Sequence, residues 1–419
     1  MASTSADGTS HTQAPPDDDP ATEPRDAQEK APKSPLDFLP LQGRAMQIAN
    51  WVGVLAGIWI LITAVSSIGN GFSMAVGDEA KELFQFAANP FVGLMIGLLA
   101  TVLTQSSSTT TAVTVGMVAG GLPIEIAIPI LFGANMGTTM TSTLVSLGMA
   151  RDKETFRRAF GAASVHDMYN LVSLLIFFPL EIAFGILGRA SEWIASTFAG
   201  EEAGVVGAAF SGLGAVVSAI TGPGADLLEW AVSPLGDVWG GITLIVLGIA
   251  LILLIISFIS TMLKSLLVGK AEQIFHTAIG RGPLSGIASG TLITVMVQSS
   301  STTTSLAVPL AGSGKFSLKQ IYPFTVGANI GTTLTALIAA FGFTGVEGQA
   351  ALQAASVHML YNVFAAIVVF SIPFLRPLPV TMASTLARLG SENKMYVVAW
   401  VLGMFVLLPS ALIAVTVLL

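Results

Sequence analysis

The sequence is poor in the residues that build most soluble enzymes and metal sites. None of its 419 residues is cysteine, which excludes disulfides and thiolate metal ligands and leaves the redox compartment open. Charged side chains make up only 10% of the chain, against about 25% in soluble domains. The four histidines form no close pair and no H-E-x-x-H spacing. We therefore expect no transition-metal site, no cofactor and no nucleic-acid partner.

Hydrophobic residues are abundant instead, at 53% of the chain, which indicates an integral membrane protein in contact with the lipid bilayer. Several apolar blocks exceed the roughly 20 residues that a helix needs to cross a bilayer. Two blocks, beginning at Phe91 and Gly286, are shorter and stop at polar residues, which is typical of broken or re-entrant segments. The blocks are 51–68, 91–103, 122–147, 170–187, 242–259, 286–297, 321–341, 356–374 and 396–419.

Two identical polar heptads interrupt this apolar chain. Gln105 to Thr111 and Gln298 to Thr304 both read Gln-Ser-Ser-Ser-Thr-Thr-Thr and lie 193 residues apart. Two further motifs recur in the same order at nearly the same offset, 133–139 with 327–333 and 164–170 with 356–362. Internal duplication of this kind is how many transporters are built.

The signs of the charges between the apolar blocks predict that the two copies have opposite orientations, because segments rich in Lys and Arg stay cytoplasmic. The loop before the first heptad is acidic, and the loop before the second heptad is basic. The signs are reversed in the loops after the repeated motifs, where the loop after 133–139 is basic and the loop after 327–333 is acidic. The acidic set is Asp78, Glu79, Lys81 and Glu82, and the basic set is Lys264, Lys270, Glu272 and Arg281. The later sets are Arg151, Lys153, Arg157 and Arg158 in the first copy and Glu347 in the second.

We therefore predict an all-α polytopic membrane protein with two inverted-topology repeats, each carrying its heptad on a re-entrant helical hairpin. The segments are a disordered polar tail at 1–40 and repeat 1 at 47–189 with a hairpin at about 90–119. An external acidic linker without Lys or Arg follows at 190–238, then repeat 2 at 239–375 with a hairpin at about 283–313. The segment 376–419 should add one transmembrane helix. We expect the cell inner (plasma) membrane, with the N-terminus in the cytoplasm.

Polar hairpin tips inside a membrane suit the binding of a small ion. Backbone N–H groups and hydroxyls there could coordinate an anion, helped by the dipole of a helix N-terminus. Carbonyl and hydroxyl oxygens equally suit a small cation such as Na⁺. The alternative is that Ser and Thr only allow helices to pack closely. Packing explains a single hydroxyl, but it explains poorly why both copies keep the same seven residues.

Other polar residues in the repeats are weaker candidates. Asn135 and Asn329 could be site ligands or could cap the hairpin backbone. Their motifs, 133–139 and 327–333, also place small residues within long apolar spans, as needed where the backbone of another element comes close. His166 and His358 are interpreted as lying near the ends of spans, where a histidine usually forms interfacial hydrogen bonds, and the alternative is a proton-linked role.

Asp167 differs from these residues because Met359 occupies its position in the second copy. A carboxylate near a membrane interior is a functional candidate by default. The alternative is an interfacial carboxylate paired with Arg157 or Arg158.

These motifs resemble a known family, the type II sodium-dependent phosphate cotransporters, in a bacterial form. The paired Gln-Ser-Ser-Ser motifs are the hallmark of that family. The stretch from Asp152 to Asn170, with Phe156-Arg157-Arg158-Ala159-Phe160 and Val165-His166-Asp167, looks much like its animal members. The likeness covers about residues 47–375.

The resemblance implies symport of inorganic phosphate into the cell, driven by Na⁺ as the coupling ion. The residues expected to bind phosphate are Gln105, Ser106, Ser107, Ser108, Gln298, Ser299, Ser300 and Ser301. Those expected to bind sodium are Thr109, Thr110, Thr302, Thr303, Asn135, Asn329 and Asp167. Three positions distinguish the electrogenic members of the family, and this chain has Gly161, Ala163 and Asp167 there. Two of the three match the electrogenic pattern, which implies that net positive charge moves inward.

Three other functions remain as alternatives. One is a transporter for another small anion, either coupled to sodium or uncoupled. Another is an anion channel, which would not need sodium. An intramembrane serine hydrolase using His166 or His358 is the third, but neither heptad has a G-x-S-x-G or S-x-x-K context. We therefore do not expect an enzyme.

Overall fold

The computed structural model describes residues 33–76, 89–199 and 204–418, and all regular elements in these ranges are helical, as predicted. The first half contains α1 (Arg44–Val76), α2 (Pro90–Thr104), α3 (Ser107–Ala119), α4 (Ile124–Gly137), α5 (Met140–Leu147), α6 (Lys153–Phe184) and α7 (Ile186–Ala199). Next come α8 (Gly204–Val232), a 3₁₀ turn (Ser233–Leu235), α9 (Asp237–Ala278), α10 (Pro283–Val297), α11 (Ser300–Gly312), α12 (Leu318–Ala340) and α13 (Gly345–Ser371). The C-terminal part holds α14 (Leu378–Glu392), α15 (Met395–Leu402), a π-helical turn (Gly403–Leu407) and α16 (Leu408–Leu418).

Six helices in the described ranges are long and apolar enough to cross a membrane. They are Arg44–Ala75, Lys153–Phe184, Gly207–Leu235, Asp237–Leu267, Leu318–Ala340 and Gly345–Ser371. Three shorter apolar helices accompany them, at Pro90–Thr104, Pro283–Val297 and Met395–Ala411. The first two are the short blocks that precede the heptads, and the third falls in the segment where one more crossing is predicted.

Part of the prediction concerns residues outside the described ranges. Residues 1–32 of the predicted tail lie there, as do the charges at Asp78, Glu79, Lys81 and Glu82. The rest of the tail forms turns ahead of α1, where the Ser34 hydroxyl donates to Asn50 Oδ1 at 2.6 Å.

The helix boundaries correct two details of the sequence analysis. The basic stretch interpreted as a loop at 264–281 is helical as far as Ala278, and Arg157 and Arg158 likewise lie within α6. Lys and Arg are good helix formers, so charge alone does not mark a loop. The apolar block 122–147 is not one helix, because α4 ends at Gly137 and α5 begins at Met140, whereas α12 runs unbroken through the equivalent motif.

The segment predicted as an external linker at 190–238 is largely helical. It contains most of α7 and all of α8, and one of the six candidate spans lies within it. Its helix is rich in glycine and alanine, so it lacks the dense Leu and Ile content by which the other spans stand out. The same order, a shorter helix followed by a longer apolar stretch, recurs in α14 to α16. The external location of 190–238 stays a prediction.

Helices of each half pack against helices of the other half. Helix α1 runs along α9, and the first half's α6 lies against α11, the helix that begins in the second heptad. In return, the second half's α13 lies against α3, which begins in the first heptad. Each heptad helix is thus supported by a long helix of the other half.

Both short apolar helices begin at a proline, and each packs closely on the helix that carries the repeated Gly-Ala-Asn motif of its own half, α2 on α4 and α10 on α12. Pro90 and Pro283 each occupy the first turn, where the missing N–H costs nothing. At the contacts, a Cβ added to Gly133 would overlap the Leu94 carbonyl oxygen, and one added to Gly327 would overlap that of Ile287. The glycines of the two repeated motifs therefore allow backbones to touch, as their sequence pattern predicted.

We expect Gly133→Ala and Gly327→Ala each to destabilise the protein by about 1–3 kcal/mol or more, because the added methyl group meets backbone that cannot rotate away. Thermal unfolding of the purified protein in detergent would measure the loss. Gly212→Ala on α8 is the matched control, since no described atom lies within 4 Å of its added Cβ. Equal unfolding temperatures for all three variants would contradict this close packing.

Candidate functional site

Each heptad begins with a glutamine in a rare backbone conformation. Gln105 has φ 53° and ψ 26°, and Gln298 has φ 52° and ψ 34°. These are the only non-glycine residues with positive φ in the parts of the chain that the structure describes. The left-handed conformation costs a residue with a Cβ roughly 1–2 kcal/mol, so a glutamine at such a break needs a compensating role.

The glutamine side chains supply that compensation through matching hydrogen bonds. Gln105 Nε2 donates to the Val102 carbonyl at 2.6 Å, and its Oε1 accepts from the Thr141 hydroxyl at 3.0 Å. In the second half, Gln298 Nε2 donates to the Val295 carbonyl at 2.9 Å. Its Oε1 accepts from the Thr335 hydroxyl at 3.1 Å. Both amides thus tie the end of a short helix to a threonine that follows the repeated Gly-Ala-Asn motif, on α5 in the first half and on α12 in the second.

The next residue in each heptad caps a new helix. Ser106 Oγ accepts from Thr109 N at 3.2 Å, and Ser299 Oγ accepts from Thr302 N at 3.2 Å. The first N–H groups of a helix have no acceptor within it, and together with the helix dipole they form an anion-binding end. Helices α3 and α11 therefore each present such an end immediately after a glutamine break.

Both helix ends open onto one cavity of about 240 Å³. All eight residues predicted to bind phosphate line it, together with Thr104 and Thr109. The remaining wall belongs to α9 and is formed by Leu253, Ile256, Ser257, Ser260, Thr261 and Lys264. The folded chain therefore brings the two heptads, which are far apart in sequence, to a single polar cavity.

The α9 wall of this cavity was not predicted from the sequence. Lys264 counted there only as a mark of a cytoplasmic loop, and the three hydroxyl residues were not singled out. The available signal was an isolated lysine directly following a long apolar run, since a charge at membrane depth is a functional candidate.

The residues predicted to bind sodium are distributed over several places. Thr109 lines the 240 Å³ cavity, and Thr302 lines a neighbouring cavity of about 520 Å³ that shares Ser301 with it. Thr110 Oγ1 accepts from the Thr101 hydroxyl at 2.9 Å, and Thr303 Oγ1 donates to the Ser299 carbonyl at 2.9 Å. Asn135, Asn329 and Asp167 are buried and do not belong to the wall of the 240 Å³ cavity.

Asn135 and Asn329 meet at a third asparagine. Asn170 Oδ1 accepts from Asn329 Nδ2 at 2.7 Å and from Asn135 Nδ2 at 3.3 Å. Asn170 Nδ2 donates back to the Asn135 carbonyl at 2.8 Å, and His166 Nε2 lies 2.5 Å from Asn329 Oδ1. This buried network joins α4 and α6 of the first half to α12 of the second, and Asn170 is a member that sequence analysis left out of the site.

The histidines are not at the ends of spans, which corrects the sequence interpretation. His166 lies within α6 and His358 within α13, and each is only 1% exposed. Neither ring forms a hydrogen bond with a heptad serine in the described ranges. The Ser–His pair that an intramembrane hydrolase needs is therefore not formed by these residues.

Asp167 is fully buried within α6. Its Oδ2 accepts from Trp400 Nε1 at 3.1 Å, and its Oδ1 has no hydrogen-bond partner among the described residues. The arginine partners considered from the sequence pair elsewhere, since Arg157 and Arg158 contact Glu154 at 2.7 and 3.1 Å. Asp167 is therefore an interior carboxylate rather than part of an interfacial ion pair.

Comparison of the sequence with known proteins places this chain in a family. The family model described as Na⁺/Pi-cotransporter matches residues 60–222 and 251–408, and each block contains one heptad. A sodium-dependent phosphate transport protein 2A of Ovis aries is 30% identical over 85% of this chain and 66% of the relative. The 2A protein of Oryctolagus cuniculus is 31% identical, over 88% and 68%. The 2B protein of Homo sapiens is 29% identical, over 86% and 64%.

The chain thus spans about two thirds of the length of these relatives. No solved structure matches it. Because the family model covers most of the sequence and both heptads, the chain belongs to the Na⁺/Pi-cotransporter family.

Proposed function

We propose that this protein is a secondary transporter that couples the movement of Na⁺ to the uptake of inorganic phosphate. The observation that carries the proposal is the single cavity at which two helix N-termini and a lysine meet. The relatives whose names describe sodium-dependent phosphate transport support the same substrate and the same coupling ion.

Phosphate binding would use groups that donate hydrogen bonds. A phosphate oxygen anion matches backbone N–H groups, hydroxyls and an ammonium, all of which border the cavity. The serines at 106–108 and 299–301 are the best-placed side chains. We assign Gln105 and Gln298 a positioning role in addition, because both ends of each amide already bond within the protein.

Sodium would use oxygen atoms near the same cavity. We retain Thr109, Thr110, Thr302 and Thr303 as candidate ligands because their hydroxyls lie in the first turns of α3 and α11. Asn135 and Asn329 are candidates at the buried asparagine network, where they would bind sodium through amide oxygens. Asp167, which is bonded to Trp400, is a further candidate through its carboxylate.

We further propose an inverted-repeat architecture with two re-entrant hairpins, at about 90–119 and 283–313. The nearly equal φ values at Gln105 and Gln298 and the packing of α6 and α13 against helices of the other half support it. One hairpin would gate each side of the membrane while the site stays between them, which is alternating access. The protein would sit in the inner (plasma) membrane with its N-terminus in the cytoplasm.

Uptake of labelled phosphate into proteoliposomes tests the function directly. An inward Na⁺ gradient should drive accumulation well above that seen with an equal K⁺ gradient, because only the coupled ion can supply the driving force. Uptake that is unchanged by replacing Na⁺ with K⁺ would rule out sodium symport and favour a channel or an uncoupled carrier. Empty liposomes and Gly212→Ala, an α8 variant outside the cavity wall, serve as controls.

A further inference from the structure

One face of α9 carries polar groups toward the heptads within a helix that is otherwise strongly apolar. Ser257, Ser260, Thr261 and Lys264 follow at spacings of three, one and three residues, which places them on one side of a helix. All four line the cavity that the heptad serines border. They belong to Asp237–Leu267, one of the candidate membrane spans.

Two of these groups have no partner in the part of the protein that the structure describes. Lys264 is half-buried, and its ammonium forms no hydrogen bond or ion pair with any described residue. Ser260 is only 6% exposed, and its hydroxyl likewise has no hydrogen-bond partner within the described ranges. Buried polar groups are nearly always satisfied, and charged groups at membrane depth pair with an opposite charge or mark an ion pathway.

The surroundings of Lys264 call for an anion. No carboxylate lies among the described residues that line the cavity. The N-terminal ends of α3 and α11, each positive by its dipole, border the same space. Three positive contributions therefore meet in one small cavity without a negative counterpart from its described lining.

We propose that Lys264 and Ser260 bind the transported oxyanion directly and form the third wall of its site. The proposal rests on the proposed function, since it assumes that the anion is inorganic phosphate. In this arrangement the heptads hold the anion through N–H groups and hydroxyls, while Lys264 supplies the only full positive charge among the described residues lining the cavity. The competing explanation is that Lys264 merely extends along α9 toward water.

The absence of native cysteine makes a chemical test possible. Lys264→Cys introduces the only thiol in the chain. The introduced thiolate attacks the thiosulfonate sulfur of 2-aminoethyl methanethiosulfonate, forming a disulfide and releasing methanesulfinate. The product carries an ammonium on an arm about one atom longer than that of lysine. Methyl methanethiosulfonate reacts in the same way but leaves a neutral methylthio group, so it is the matched reagent.

We expect Lys264→Cys to raise the KM for phosphate by about 10- to 100-fold, the usual effect of losing a hydrogen bond from a charged donor. The aminoethyl reagent should restore most of that loss, and the methyl reagent should not. Ser260→Ala should raise KM by about threefold to tenfold, as for a neutral hydrogen bond. Vesicles of neutral phosphatidylcholine exclude anionic headgroups as competing ligands.

Labelling provides a readout that is independent of transport. Inorganic phosphate should slow modification of the thiol in Lys264→Cys in detergent, as followed by mass spectrometry, whereas modification of a Lys270→Cys variant should not change. Lys270 is an exposed lysine on the same helix and is not in the cavity wall. If Lys264→Cys fails to fold, phosphate binding to Ser260→Ala and to Lys264→Arg remains measurable by thermal shift. We expect Lys264→Arg to keep the phosphate-induced rise in unfolding temperature and Ser260→Ala to reduce it.

An unchanged KM in Lys264→Cys, equal effects of the two reagents, or no phosphate protection would overturn this assignment. In the thermal-shift measurements, a phosphate-induced shift in Ser260→Ala that equals that of the wild-type protein would also overturn it. Wild-type protein that shows no sodium-driven uptake would instead refute the proposed function. The two failures are therefore distinguishable in the same set of vesicles.

Discussion

Replacing Gln105 or Gln298 with alanine is expected to abolish sodium-driven phosphate uptake, with a loss of about 100-fold or more, while the protein still inserts and folds. Each glutamine holds a left-handed break with two hydrogen bonds, and both breaks aim a helix N-terminus at the cavity. Removing the amide lets that end shift, and a misplacement of about 1 Å at a reacting or binding centre can cost about 100-fold in rate. Uptake by reconstituted single variants measures the effect.

Two further kinds of substitution separate backbone strain from the hydrogen bonds of the amide. Gln105→Gly removes the amide but adopts positive φ without cost, so it isolates the hydrogen bonds. Thr141→Val and Thr335→Val each remove one bond from one glutamine, and we expect partial losses from them. If both alanine variants transported at the wild-type rate, the heptad glutamines would have no role beyond packing.

Neutralising Asp167 is expected to remove the dependence of transport on membrane potential. For a transporter that moves one net charge, a potential of about 100 mV is worth about 2.3 kcal/mol, or roughly 50-fold in accumulation. Asp167→Asn keeps the shape and an acceptor oxygen for Trp400 but removes the charge. Proteoliposomes with an imposed potassium diffusion potential measure the difference, with the wild-type protein sensitive and the variant indifferent.

A matched control for this experiment is Trp400→Phe. It removes the donor at 3.1 Å from Asp167 while leaving the carboxylate in place, so dependence on potential should persist. Wild-type uptake that is indifferent to potential would contradict the inward movement of net positive charge that the resemblance to electrogenic family members implies. An Asp167→Asn variant that keeps the full dependence would show that the charge moved in each cycle does not involve Asp167.

Asp167 has no carboxylate counterpart in the second half of the chain. Its counterpart in the repeat is Met359. The neighbouring histidines differ as well, because His166 contacts Asn329 whereas neither ring nitrogen of His358 has a hydrogen-bond partner in the described ranges. Among the described residues, α6 therefore makes polar side-chain contacts that its repeat-related helix α13 does not make.

Several properties followed from sequence patterns alone. The all-helical class with membrane-length helices follows from long apolar runs and scarce charge, and the family follows from the paired heptads and the 152–170 stretch. The Gly133 and Gly327 motifs also indicated close backbone contacts, which the structure shows. These signals are readable because each is carried by neighbouring residues or by direct identity between the copies.

Other properties depended on where the chain places distant residues. Sequence spacing assigned His166 and His358 to span ends and Lys264 to a loop, because charge and hydropathy mark helix boundaries only approximately. The helical nature of 190–238 was missed because its helix is rich in glycine and alanine and lacks the dense Leu and Ile content of the other spans. A glycine-rich helix becomes recognisable when it packs against others, since tertiary contacts rather than local propensity supply most of its stability.

The sequence by itself thus determined a duplicated, helical, membrane-embedded protein with two polar heptads. Only the tertiary structure decided that both heptads border one cavity, that their glutamines are bonded internally, and that Lys264 of α9 forms part of a third wall. The physical reason is that hydrophobic periodicity and motif identity are local properties of the chain. The meeting of residues 105, 264 and 298 is set by the combined packing of helices that are distant in sequence.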